Sequence, residues 1–201
     1  MEDFFAKLSI MLVPALLAIT AHEVAHGLVA DHFGDPTARL SGRLTINPIK
    51  HLDLVGTITL LIFGFGWAKP VPVNFLNLRD LRQGMIFVSA AGITANLILA
   101  FVAFLVMRLT QGYDIESLNT LLYFMARVNI MLAAFNLIPI PPLDGSKILM
   151  GFLPGEYRYQ LERLEPYGLF IILGLLYIGI LNPVISLFQN IIIYVIQLFI
   201  P

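Results

Sequence analysis

A long apolar run near the start of the chain ends in Thr20-Ala21-His22-Glu23-Val24-Ala25-His26-Gly27. On a helix, residues four apart lie one above the other on the same face. His22 and His26 can then direct two imidazole nitrogens at one point, and Glu23 lies beside that face. Titratable groups inside an apolar span are costly and usually mark function. The rest of the chain is therefore best understood relative to this stretch.

The His-Glu-x-x-His spacing is typical of a helix on which two histidines bind zinc. The glutamate between them is then placed to act as general base on a metal-bound water. The residues alone also fit a pair of interfacial histidines near a helix end. The apolar surroundings favour the zinc interpretation, which predicts His22 and His26 as ligands and Glu23 as the base.

The composition is that of a membrane protein. Of the 201 residues, 58% are hydrophobic and 12% are charged, and the mean hydropathy is +0.85, above that of a soluble domain of this size. The net charge of −1 argues against nucleic acid as a partner. The chain has no cysteine, so a metal must be held by His, Asp or Glu. We expect a single membrane-embedded domain over residues 1–201, with its core in 1–150.

Three segments are long and apolar enough to cross a bilayer, namely 4–30, 84–109 and 118–137. The acidic start Met1-Glu2-Asp3 argues against a secretory signal peptide. The tail, 167–201, is also apolar, and Asn182-Pro183 near its middle predicts a hydrophobic hairpin of two short helices. The fold class predicted from these patterns is an all-α membrane protein, a polytopic transmembrane helix bundle.

Between the first two spans, the sequence predicts small membrane-associated β-strands and a re-entrant loop. Apolar and polar residues alternate over 37–47, which predicts a short amphipathic strand or hairpin. Over 67–74, Pro70 and Pro72 forbid a helix and favour an edge strand. The apolar piece 54–66 is too short to span and contains three glycines, so we predict a re-entrant or interfacial loop there.

A carboxylate follows the third span. Pro139, Pro141 and Pro142 force an extended backbone, which at membrane depth is tolerated only when it is buried in protein or lines a polar cavity. This loop delivers Asp144. Taken alone, Asp144 fits a helix N-cap, because the residues after it can be helical. Two histidines without a third ligand favour the alternative, in which Asp144 completes the zinc site.

The charged residues in the loops predict the orientation in the membrane. Lys and Arg crowd residues 39–82, whereas 111–117 contains neither. By the positive-inside rule, the first loop region lies in the cytoplasm. We therefore expect a multi-pass protein of the plasma membrane with its active site near the cytoplasmic side.

Several short motifs follow one another over about residues 15–150: His22-Glu23-x-x-His26-Gly27, Asn47-Pro48-x-x-His51 with Gly56-Thr57, Pro70-Val71-Pro72-Val73-Asn74, Ala91-Gly92 with Asn96, and Asn136 eight residues before Asp144 of Leu143-Asp144-Gly145. In these motifs and their order, the chain resembles the site-2 protease family of intramembrane zinc metalloproteases. Ile93-Thr94 departs from the family's usual proline-containing stretch, and the tail after 166 matches no family motif. We expect none of the PDZ or CBS domains that many members carry, because the length leaves no room for them.

The resemblance implies one Zn²⁺ per chain, held by His22, His26 and Asp144, with Glu23 as general base. It also implies regulated intramembrane proteolysis, in which a peptide bond is cut within or near the transmembrane segment of a single-span protein in the lipid bilayer. The oligomeric state does not follow from the sequence.

Contacts with the substrate or its oxyanion are implied at Asn136, and Asn96 and His51 are further candidates. His51 fits a structural histidine bonded to the backbone equally well. A cleavable helix must first unwind, and an edge strand can hold an unwound segment by strand addition. We predict such a substrate-docking strand at Val71, Val73 and Asn74.

Two other functional classes fit parts of the pattern. Intramembrane His, Asp and Glu also form ion pathways, so a membrane ion or metal transporter is one alternative. Transporter folds typically contain repeated halves, and no repeat is visible in this sequence. The other alternative is a catalytically silent homologue that only binds substrate, and the intact Glu23 argues against it.

Overall fold

The computed structural model describes residues 2–63, 66–113 and 115–200. Short turns and irregular segments join its helices. The α-helices, numbered in chain order, are α1 (Glu2–His32), α2 (Thr37–Leu40), α3 (Leu54–Phe63), α4 (Leu81–Leu109), α5 (Glu116–Asn136), α6 (Asp144–Phe152), α7 (Gly155–Glu162), α8 (Gly168–Tyr177) and α9 (Leu181–Phe199).

Four of these helices are long and apolar enough to cross a membrane. They are α4, α5, α9 and the Leu12–His32 part of α1. The fold is therefore that of an all-α, multi-pass membrane protein. The chain turns between α8 and α9 at residues 178–180. Asn182-Pro183 lies in the first turn of α9, where a proline is tolerated because its missing N–H would have no partner in the helix.

Helix α4 is the centre of the bundle and packs against α1, α5 and α6. Small side chains such as Ala100 on α4 and Ala133 on α5 are fully buried, which lets the two backbones approach closely. Ile192 and Ile196 of α9 complete this core from the far side.

A second apolar cluster fixes the loop before α6. Ile138 and Leu143 of that loop pack against Ile172 of α8 and Leu181 of α9. Gly168, the first residue of α8, lies so close to the loop that an added Cβ would come within 2.6 Å of Pro142 Cδ. The tail therefore supports the loop from which Asp144 emerges.

The predicted β-strands are wrong. Residues 37–40 form α2, and the rest of 37–47 is irregular, with Ile46 85% exposed. The segment 67–74 is extended as predicted, but β-pairing within the described ranges is limited to a single bridge between Leu52 and Ala68. A strand needs a partner with free backbone groups. Prolines and side-chain carboxylates leave few such donors in 67–74, as shown below.

In the segment 54–66, predicted as a re-entrant or interfacial loop, residues 54–63 form the helix α3, and residues 64 and 65 lie outside the described residues. The side chain of Asp53 accepts the Gly56 N–H at 2.8 Å and so satisfies a donor in the first turn. With ten residues, α3 is too short to span a bilayer.

Candidate active site

Three potential ligand atoms converge between α1 and the start of α6. Nε2 of His22 and Nε2 of His26 are 3.0 Å apart. Oδ2 of Asp144 lies 3.1 Å from the first nitrogen and 3.2 Å from the second. His22 and His26 are four residues apart on α1, and the loop before α6 places Asp144 beside them. His22 and Asp144 meet although they are 122 positions apart in the sequence.

Hydrogen bonds fix the tautomers of both histidines. Nδ1 of His26 lies 2.7 Å from the carbonyl oxygen of Val88, which can only accept, so this nitrogen carries the proton. Nδ1 of His22 lies 2.6 Å from Oδ1 of Asn96. The Asn96 amide donates through Nδ2 to Ala18 O and to Asn129 Oδ1, so its oxygen faces His22. With the proton on Nδ1, the neutral form of each imidazole presents a lone pair on Nε2, which is the form that binds a metal.

These residues fit a zinc ion. Two Nε2 lone pairs and a carboxylate oxygen face one another at 3.0–3.2 Å, and Oδ2 of Asp144 is buried without a hydrogen-bond partner. Such an arrangement is repulsive unless a proton or a metal cation lies between the acceptors. Zinc binds His nitrogen and Asp oxygen at about 2.0–2.2 Å, so tetrahedral ligands lie roughly 3.3–3.5 Å apart. The observed separations are close to that value.

Asp144 is not a helix cap. It is the first residue of α6, the N-cap position is Leu143, and no side chain caps this helix. The carboxylate instead points at His22 and His26. The interpretation of this residue as a capping group, which the sequence left open, is therefore wrong.

Gly92 of α4 lies directly behind the two histidines. A Cβ at this position would lie 2.5 Å from Nε2 of His26 and 2.6 Å from Cε1 of His22. Only glycine lets α4 approach the imidazole rings this closely. The Gly92 position therefore determines where both rings can lie.

Glu23 lies beside the histidine pair and lines the same cavity. Its Oε2 accepts the Val71 N–H at 2.7 Å. The cavity has a volume of about 380 Å³. It is lined by the three potential ligands, Glu23, Pro70, Val71, Pro72, Val73, Phe75, Val88, Ser89, Asn136, Pro142 and Lys147.

The segment 70–77, which forms one wall of the cavity, is held by Asp35 at the end of α1. The fully buried Asp35 carboxylate accepts the Asn74 N–H at 2.7 Å and Asn77 Nδ2 at 2.8 Å. It also accepts the N–H and the hydroxyl of Thr37. Burial raises the pKa of Asp35, but the bonds from Thr37, Asn77 and Asn74 outweigh it and hold the pKa below its usual value.

Comparison with known proteins gives the family. The model of peptidase family M50 matches residues 111–178, which include Asp144 but not the α1 histidines. YwhC of Bacillus subtilis is 41% identical over 172 residues, which cover 82% of this chain and 78% of YwhC. The chain belongs to peptidase family M50. It is therefore a zinc metalloprotease, and its predicted resemblance to the site-2 protease family is confirmed.

Two further relatives also carry the words zinc metalloprotease in their names, as YwhC does. Rip2 of Mycolicibacterium smegmatis is 31% identical, over 83% of this chain and 66% of Rip2. MJ0392 of Methanocaldococcus jannaschii is 27% identical over 98% of this chain, and the chain spans about half of that protein (48%). No solved structure gives a significant match.

The structure separates the three candidates for substrate or oxyanion contacts. Asn136 lines the cavity beside the potential ligands, and its Nδ2 donates one hydrogen to Leu132 O at 3.0 Å. Asn96 is fully buried behind His22 and is not among the lining residues. His51 is buried in a different place, where its Nε2 lies 2.8 Å from Thr45 O, and it joins neither the ligand group nor the cavity.

The predicted docking strand is not a strand, and most of its backbone donors are in use. The Val71 N–H is donated to Glu23 and the Asn74 N–H to Asp35. Pro70 and Pro72 have no N–H. Within 70–74, this leaves the N–H of Val73, which is half-buried in the cavity wall.

Several supporting residues were not assigned from the sequence, namely Asn129, Val88, Ser89, Asp35 and Lys147. Asn129 was visible as a buried amide within a span, which signals a polar partner. An Asp-Pro pair such as Asp35-Pro36 is typical of a turn, and nothing in the sequence links Asp35 to Asn74. The spacing of Lys147 from Asp144 is the one signal that could have placed Lys147 near the site.

Proposed function

We propose that this M50 metalloprotease hydrolyses a peptide bond within or near the transmembrane segment of a single-span membrane protein, as in regulated intramembrane proteolysis. One observation carries the proposal. The His22, His26 and Asp144 ligand group and Glu23 share a cavity whose walls include helices long enough to cross a membrane. A site built on such helices meets substrates that lie in the bilayer.

In this proposal, His22, His26 and Asp144 would hold one zinc per chain, a ligand set typical of catalytic zinc sites. Zinc, when bound, polarises the scissile carbonyl and lowers the pKa of a water molecule towards about 7. Glu23 takes the proton of the attacking water and passes it to the leaving amine. The Val71 N–H holds the Glu23 carboxylate in place for this transfer.

Asn136 is the proposed contact for the developing oxyanion. Its Nδ2 group carries two hydrogens, and only one is donated to Leu132 O. The second is available to a carbonyl oxygen in the cavity, where a fixed donor stabilises developing charge. Asn96 has no such role in the proposal, because its amide is committed to His22, Ala18 and Asn129.

We further propose that the protein lies in the plasma membrane with the cavity near the cytoplasmic side. The cavity lies at the end of α1 that leads into the Lys- and Arg-rich residues 39–82. This charge pattern supports a cytoplasmic location for that end. Its partners are then the bilayer and a single-span substrate, with no role for nucleic acid.

The test uses the purified chain in phosphatidylcholine liposomes with a single-span reporter peptide. With zinc, products mapped by mass spectrometry should arise from a bond in or near the span. Removing zinc with a chelator should stop cleavage, and restoring zinc should recover it. A matched reporter whose span is replaced by a soluble linker should stay intact. Absence of product with zinc-loaded protein, or equal cleavage of the spanless reporter, would contradict the proposal.

A further inference from the structure

Lys147 lies in the wall of the catalytic cavity, three residues after Asp144 on α6. It is the sole Lys or Arg among the residues that line this cavity. The other charged residues in the lining are Glu23 and Asp144, and both have assigned partners. A cation at this position has no part in holding zinc or moving the proton.

The Lys147 ammonium is held without an anion. Its Nζ lies 5.1 Å from the centroid of the Phe75 ring, on the opposite wall. Phe75 packs against Ala30, Leu78 and Val88, so the ring is a fixed platform for the cation. In the part of the chain that the structure describes, no carboxylate oxygen lies within 4.0 Å of this Nζ. The exposed Arg39, by contrast, pairs with Asp31 at 3.1 Å.

A half-buried ammonium beside a cavity interacts more strongly with an anion than one in bulk water does, because the surrounding dielectric constant is lower. An anion that enters this cavity with the substrate would therefore find a cation already in position. The ring of Phe75 limits the conformations of the Lys147 side chain, which lowers the entropy lost on pairing.

We propose that Lys147 determines specificity by pairing with an acidic side chain of the substrate close to the scissile bond. The inference rests on the proposed function.

The spacing on α6 sets how far this acidic side chain can be from the scissile bond. Asp144 and Lys147 are three residues apart, which corresponds to about 4.5 Å along the helix axis. An extended substrate covers about 3.3 Å per residue. The acidic side chain therefore lies within about three residues of the bond that is cut.

The experiment compares reporters that differ at a single position. Once the cleaved bond is mapped, Glu, Gln and Lys are placed in turn at each of the three positions on either side of it, and kcat/KM is measured. At one of these positions, wild type should prefer Glu to Gln by about tenfold, which corresponds to 1.4 kcal/mol. Lys147→Gln should abolish that preference, Lys147→Arg should keep it, and Lys147→Glu should favour the Lys reporter instead.

The matched control is Lys50→Gln, because Lys50 is exposed and does not line the cavity. It should keep the wild-type preference. Equal cleavage of the Glu and Gln reporters by wild type at all six positions would overturn the Lys147 proposal while leaving proteolysis intact. A preference that persists in Lys147→Gln would do the same. No product from any reporter would instead refute the proposed function, and this proposal with it.

Discussion

One wall of the active-site cavity consists of packed helices, whereas the other is an irregular segment held by side-chain carboxylates. On the helical wall, Asn96 and Val88 of α4 each fix one histidine of α1 through Nδ1. On the other wall, residues 70–77 are held by Glu23 and Asp35. Buried helix contacts are costly to rearrange, and a few hydrogen bonds are not. The comparison indicates that buried helix packing positions the metal side, whereas the position of residues 70–77 depends on two carboxylates and on the packing of Val73 and Phe75 against Ala30, Leu78 and Val88.

The strongest way to break the helical wall is Gly92→Ala. The new methyl group would overlap both His22 and His26, so both rings must move. We expect Gly92→Ala to lose bound zinc, measured by metal analysis of the purified protein, and to lose all cleavage of the reporter. His22→Ala, which removes a potential ligand, should behave in the same way. The control is Gly174→Ala in α8, where a Cβ would meet nothing within 4 Å and zinc should be retained. Full zinc occupancy in Gly92→Ala would show that α4 does not position the ligands.

Asp144→Asn tests the third ligand. The amide keeps the shape of the side chain but lacks the charge that zinc binding favours. We expect much weaker zinc binding and a loss of activity, with the fold kept according to circular dichroism. Asp80→Asn is the matched control, because Asp80 is a true cap that accepts the Gln83 N–H, and Asn caps well. Normal activity of Asp144→Asn would remove it from the metal site.

A smaller loss of zinc affinity is expected when the buried amides behind the histidines, Asn96 and Asn129, are replaced. Asn96→Leu removes the partner of His22 Nδ1, and such outer contacts are typically worth 10–100-fold in metal affinity. Asn129→Leu removes only the acceptor that orients Asn96, so its effect should be smaller. Competition with a fluorescent chelator gives both affinities. Equal affinities in wild type and both variants would contradict the tautomer assignment.

The smallest effect is predicted for the irregular wall. Asp35→Asn should speed amide hydrogen exchange in residues 70–77 by about tenfold at neutral pH, equivalent to 1.4 kcal/mol, with zinc unchanged. Asp31→Asn, which breaks only an exposed pair with Arg39, should leave this exchange as in wild type. Wild-type exchange in Asp35→Asn would show that the segment is held by other contacts.

Acid should reduce the difference in amide hydrogen exchange between wild type and Asp35→Asn. The pKa of Asp35 is held below its usual value of about 3.9, so its carboxylate stabilises the folded segment above that pH. This stabilisation is lost as the pH falls through the lowered pKa. In wild type, protection of residues 70–77 should therefore decline in acid, whereas Asp35→Asn should lack that dependence.

The helical wall was largely predictable from sequence, because its signals are local. The His22–His26 spacing needs only helical periodicity, and the spans need only apolar length. The position of Asp144 was harder to predict, since the residue alone resembles a helix cap, and only the missing third ligand of the histidine pair favoured its placement beside His22 and His26. The tail forms two helices as predicted, but the turn lies at 178–180, just before Asn182-Pro183, and α9 is longer than expected because a proline is tolerated in its first turn.

The irregular wall was not predictable, because its partners are distant in sequence. Asp35 and Asn74 are 39 residues apart, and Glu23 and Val71 are 48 apart. Alternation over 37–47 satisfies a strand pattern, but the N–H groups of Leu40 and Ser41 bond locally to Pro36 O and Thr37 O. In 67–74, the carboxylates of Glu23 and Asp35 take the N–H groups of Val71 and Asn74, and no local pattern reveals that competition.

The most direct test is the substitution Glu23→Gln, because Glu23 belongs to α1 on the helical wall and its carboxylate accepts the Val71 N–H of the irregular wall. Gln keeps the size of the side chain but cannot accept a proton from water. We expect one zinc per chain in both wild type and variant, with kcat on the single-span reporter lowered by about 10²–10⁴-fold in the variant. Cleavage by Glu23→Gln at the wild-type rate, with zinc bound, would contradict it.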